Sequence, residues 1–141
     1  MTHTIHQQTE AEKENTGTRT IRRFMLIEAA SFIAAALIHF GLLIRGYEHR
    51  EARIAESVIA IVLLIGAALT WLRPAWARQA GLAAQGFALL GTLIGLFTIA
   101  IGIGPRTVLD IAYHIAIVIV LIWGLIVTAR AQPDNPAAHT R

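Results

Sequence analysis

The chain has 141 residues, 55% of them hydrophobic and 15% charged, with a formal net charge of +3 and no cysteine. That balance lies outside the soluble range and points to one integral membrane domain, while the missing cysteine excludes disulfides, thiolate metal sites and cysteine nucleophiles. The basic loops of a membrane protein account for the positive charge, so the partner implied is the lipid bilayer and no nucleic acid is expected.

Residues 1–20 are rich in Thr, Gln, Glu and His, have little to bury, and read as a disordered cytoplasmic tail. His3 and His6 within it read as chance placements in a solvated segment rather than as a weak metal site. The segment lacks the short basic region, apolar core and cleavage site of a secretory signal, so the first span is expected to stay uncleaved.

The transmembrane domain, residues 21–130, begins with an apolar stretch at 24–44, bounded by Arg22 and Arg23 on one side and Arg45 on the other. At about 1.5 Å per residue it matches a hydrocarbon core of roughly 30 Å. Glu28 and His39 lie within it, eleven residues apart and hence on one helical face. An unpaired ionisable group costs on the order of 3 kcal/mol in a membrane span, so this face must turn toward protein or a wet cavity, with Glu28 paired there or protonated.

A short polar connector follows, in which Gly46 can end the helix and Tyr47 suits the membrane interface. The second span runs from about 54 to 72, with Glu56, Ala60, Leu63, Ala67 and Thr70 on its inward face. The connection 73–78 closes it with Pro74 and two interfacial tryptophans, Trp71 and Trp76.

The third span, about 80–103, carries small residues at alternating three- and four-residue steps: Gly81, Ala84, Ala88, Gly91, Gly95, Thr98 and Gly102. Such a stripe lets a neighbouring backbone approach closely; the alternative reading is a smooth wall for a flat ligand such as haem or a quinone. The fourth span, 107–129, opens on a capping-box arrangement of Thr107 and Asp110, with His114 four residues further along the same face. Residues 131–141 read as a second disordered tail. The resulting fold class is an all-α integral membrane protein, four transmembrane helices in an up-down antiparallel bundle.

The N-terminal tail, the 73–78 loop and the C-terminal tail hold eight basic residues: Lys13, Arg19, Arg22, Arg23, Arg73, Arg78, Arg130 and Arg141. The other two connections hold four, Arg45, Arg50, Arg53 and Arg106. Both termini are therefore expected in the cytoplasm, with the chain in the cell (inner) membrane. Counted from the flanking arginines, His39 lies about 9 Å and His114 about 12 Å below the external surface, with Glu56 near the same level and Glu28 roughly 16 Å deeper than His39.

His39, Glu56, His114 and Asp110 are thus candidates to converge, and four readings follow. Two imidazoles with carboxylates suit a divalent metal. His39 and His114 as paired axial ligands suit a b-type haem. Glu28 and His39 along one helix suit a proton relay in small-solute transport. The fourth reading makes all of these packing glue in an accessory subunit, a homo-oligomer or part of a larger membrane complex. No nucleophile, base and acid fall in an arrangement that supports an enzyme.

Overall fold

A computed structural model describes residues 2–131, with side chains from residue 16 onward. The His3 and His6 side chains and the tail beyond 131 lie outside the described residues. The described residues form four α-helices: α1, Thr2–His39; α2, Arg50–Leu72; α3, Ala77–Ala100; and α4, Val108–Arg130. Among the described residues there is no strand. Three helical segments are long and apolar enough to cross a membrane: Arg50–Leu72, Pro74–Ala100 and Val108–Arg130. The last 18 residues of α1 still include Arg22, Arg23 and Glu28, which sets it apart from these three.

Helix α1 takes in residues 2–20 as well as most of the first apolar stretch, and it stops five residues short of Ile44. The stop is chemical. Gly41 adopts φ 73°, its N–H bonds to Ile38 O at 2.8 Å, and Leu42 N–H bonds to Leu37 O at 3.0 Å. This is the Schellman pattern, which needs a residue free to enter the left-handed region. Gly41, and not Gly46, therefore ends the helix. The same pattern closes α3, where Gly102 (φ 88°) bonds to Ile99 O and Ile103 N–H to Thr98 O. Gly102 is thus a helix terminator lying beyond α3, while the other six residues of the small-residue stripe lie on it.

Helix α1 packs against α2, α3 and α4, and α3 packs against both α2 and α4. The inward face of α2 is the one its sequence implies: Glu56, Ala60, Leu63, Ala67 and Thr70 are all buried. Glycine sets several of the close approaches. A Cβ on Gly66 would come within 2.7 Å of Ala84 Cβ, and one on Gly81 within 2.7 Å of Ile21 and 2.8 Å of Thr128. The core of Met25, Ala29, Phe32, Leu63, Ala88 and Leu121 runs along this contact zone.

Polarity is distributed the wrong way round for water. Glu28, Gln85, Thr70 and Thr128 are fully buried, while Ile61, Leu90, Ile94, Ile119 and Trp123 stand more than half exposed on the outside. A monomer in water rarely shows so continuous an apolar exterior.

Candidate functional site

His39 is the last residue of α1, and the connector folds back over it. His49 N–H bonds to His39 O at 3.1 Å, and His39 Nδ1 lies 2.9 Å from Tyr47 O. A carbonyl only accepts, so Nδ1 carries the hydrogen and Nε2 faces the interior. There Nε2 sits 3.5 Å from Glu56 Oε1 on α2 and 3.5 Å from Asp110 Oδ1 on α4. All three side chains are almost completely buried. Three acceptor atoms, the Nε2 lone pair and two carboxylate oxygens, thus meet in a place from which water is largely excluded.

Asp110 divides its carboxylate between two tasks. Oδ2 accepts from Thr107 N–H at 3.2 Å and from the Thr107 hydroxyl, while Thr107 Oγ1 accepts from Asp110 N–H at 3.1 Å, completing the capping box. Oδ1 is left to face His39. One turn on, His114 Nδ1 lies 2.8 Å from Asp110 O and so donates to it. His39 and His114 both meet Asp110, one at the side chain and the other at the backbone.

His114 Nε2 turns toward α3, where a Cβ on Gly95 would come within 3.1 Å of it. Both residues line a cavity of about 240 Å³ between α2, α3 and the connection 101–107. Glu56 lines the same cavity, and neither of its oxygens has a hydrogen-bond partner among the described residues. Oε1 at least has the His39 ring 3.5 Å away, whereas Oε2 has neither a hydrogen bond nor an ion pair among the described residues. Buried carboxylate oxygens are rarely left this way, because the cost of desolvation goes uncompensated. A smaller cavity of about 160 Å³ lies on the other side of His39 and Asp110, against Ser31 and Tyr113.

Glu28 belongs to a separate chain of bonds. Gln85 on α3 donates from Nε2 to both Glu28 oxygens at 3.1 Å, and the Thr128 hydroxyl on α4 donates to Gln85 Oε1 at 2.8 Å. Gly124 makes room, since a Cβ there would collide with Gln85 Nε2 and Glu28 Oε1. Every hydrogen-bonding atom of the Gln85 amide except one N–H is accounted for.

The metal and haem readings find no support in this geometry. Among the described residues no group of three or more His, Cys, Asp or Glu could hold a metal ion. The donors are committed elsewhere: both Nδ1 atoms are bonded to carbonyls, and one Asp110 oxygen belongs to the cap. The two Nε2 atoms also face different surroundings, one the carboxylates and the other Gly95. A cavity of about 150 Å³ holds benzene, so 240 Å³ leaves no room for a porphyrin.

Of the stripe residues on α3, Gly81 meets α1 and α4, Gly91 meets Ile59, and Gly95 and Thr98 line the cavity. Ala84 and Ala88 are in the core. Sequence reasoning missed Tyr47, Tyr113 and Gly124. Tyr47 acts through its carbonyl, which no side-chain pattern reveals; Gly124 could have been found as the one glycine in the apolar run of α4. No family model matches this chain, and no curated protein or solved structure matches it either.

Proposed function

We propose that the chain is an integral protein of the cell membrane, a four-helix up-down antiparallel bundle with both termini cytoplasmic, which binds a small organic ligand in its external half. The apolar exterior and polar interior support insertion, and eight basic residues against four in the alternating connections support the orientation. The first helix joins the span set on this reading because Glu28 is bonded inside the bundle, which removes the main cost of placing it in lipid.

The observation that carries the ligand reading is Glu56. Its buried, unbonded carboxylate shares with the free His114 Nε2 a cavity whose walls are otherwise mainly apolar. Such a pocket, apolar with a few convergent polar groups, is what small-molecule sites have in common. His39 and Asp110 adjoin this site with 3.5 Å between imidazole and carboxylate, and that contact keeps proton-linked transport as the second reading.

The test is native mass spectrometry of the chain extracted in mild detergent, with metal analysis and a visible spectrum of the same sample. The expected result is a small organic adduct on the native chain that is absent from Ala55→Trp, a variant at an exposed position on the cavity wall. A Soret band or a stoichiometric metal would overturn this reading in favour of haem or metal. A bare chain in both forms would favour the accessory subunit.

A further inference from the structure

Resting on the ligand reading above, we infer that the cavity between α2 and α3 selects a compact apolar cation, a primary or secondary ammonium attached to about one aromatic ring. Charge is the first reason. Glu51 and Glu56 line the cavity, and among the described residues no Lys or Arg does. Nearby Arg106 is tied to Ile99 O at 2.9 Å and Ala100 O at 2.8 Å, and Arg53 lies over the Phe40 ring. An anion would meet two carboxylates there, with only the His39 ring 3.5 Å from Glu56 and the His49 ring 3.6 Å from Glu51 to offset them.

Hydrogen-bond polarity is the second reason, and it is independent of charge. The Thr92 hydroxyl already donates to Ala88 O and the Thr98 hydroxyl to Gly95 O, each at 2.7 Å, so both oxygens have only lone pairs to offer. His114 donates through Nδ1 and offers Nε2 as an acceptor. Glu56 as a carboxylate offers two more acceptors. Among the described residues the only side-chain donor on the wall is His49, whose Nδ1 accepts from Ala52 N–H at 3.3 Å and whose hydrogen therefore sits on Nε2. A ligand that fits this wall must bring N–H or O–H groups of its own.

The order of the carboxylates along the cavity adds a third argument. The Glu51 side chain is 75% exposed and that of Glu56 6%. A cation would thus be attracted by a solvated carboxylate at the mouth and satisfied by a desolvated one within, where the attraction is far less screened. Phe32, Ile59 and Ile99 supply the apolar wall. The volume, about 240 Å³ against roughly 150 Å³ for benzene alone, fits a ring with a short ammonium arm.

The experiment is calorimetric titration of the full chain in lipid nanodiscs with 2-phenylethylammonium, 2-phenylethanol and phenylacetate, empty nanodiscs serving as the blank. The expected outcome is saturable binding of the ammonium at least tenfold tighter than the alcohol, with the acetate weakest. Glu56→Gln should weaken the ammonium by at least tenfold, so that its preference over the alcohol is lost. Ala55→Arg, at an exposed wall position, is the second variant should Glu56→Gln fail to fold, and it should weaken the ammonium at least tenfold. Equal binding of ammonium and alcohol by the native chain would overturn the cation inference and leave the ligand site standing. Binding of none of the three would overturn the cation inference, and the adduct test above then decides the ligand reading separately.

Discussion

At the scale of the residue, the polar groups of the interior fall into two kinds, closed and open. Glu28, Gln85 and Thr128 form a closed chain in which each group has a partner from another helix, whereas Glu56 and His114 keep unspent acceptors next to a cavity. The closed chain makes an ordering that stability measurements can check. Thr128→Val would leave the neutral Gln85 oxygen without its donor, at a cost of about 1–3 kcal/mol. Gln85→Leu would leave both Glu28 oxygens and the Thr128 hydroxyl without their shared partner and should cost more, about 3 kcal/mol, the upper end of the same range. Glu28→Gln should be the mildest, since an amide oxygen at that position still accepts from Gln85. Chemical denaturation in detergent measures all three, and a Gln85→Leu variant no less stable than Thr128→Val would mean that Glu28 is solvated or otherwise compensated. The pairing of Glu28 with an interior group was legible from sequence, because an ionisable residue in an apolar stretch leaves few choices. The open site was only partly legible. The depth of His39 rested on a helical rise continuing to Arg45, but the rise stops at Gly41; what brings His39 to Glu56 and Asp110 is the fold-back of the connector through Tyr47 and His49.

Among the elements, α3 is the one whose surface is most finely graded. Its stripe of small residues was visible as a spacing, yet spacing alone could not distinguish Gly81, which is pressed between Ile21 and Thr128, from Gly86, whose added Cβ would meet nothing within 4 Å. The two glycines should therefore respond oppositely to the same substitution. Gly86→Ala should stabilise by up to about 1 kcal/mol, because alanine loses less backbone entropy in a helix. Gly81→Ala must push aside Ile21 or Thr128 and should destabilise by about 1–3 kcal/mol, the usual penalty for overpacking. Thermal unfolding of the two variants decides it, and a destabilised Gly86→Ala would reveal a second chain or another subunit seated on that face. Gly102 teaches a related lesson. It continues the stripe in sequence, but its positive φ assigns it to the end of the helix, and only a backbone conformation, which no periodicity encodes, separates the two roles.

For the whole molecule, four helices could be read from four apolar runs separated by arginine, proline and glycine, since each run is bounded by residues that either stop a helix or resist burial in lipid. Their bounds were less legible, because a helix in a structure ends where a backbone carbonyl finds its last partner and not where apolar residues give out. On the proposed membrane reading, orientation would follow from a different physical quantity, the positive charge retained on the side from which the protein inserts. Two positions make this measurable. The chain has no cysteine, so each single-cysteine variant reports one site without removing another. The Glu51 side chain is 75% exposed at the start of α2, and Trp76 is 67% exposed in the connection to α3, at the other end of that helix. Neither Glu51→Cys nor Trp76→Cys alters a Lys or Arg, and acidic residues contribute little to orientation, so the charge bias is left intact. In intact cells an impermeant thiol reagent should label position 51 and reach position 76 only after the membrane is opened. The reversed pattern would place the cavity mouth, with Glu51 on its wall, on the cytoplasmic side, so that any cation attracted to it would come from the cytoplasm. Labelling of both positions in closed cells would mean that Arg50–Leu72 does not cross the bilayer, and the membrane bundle itself would have to be given up.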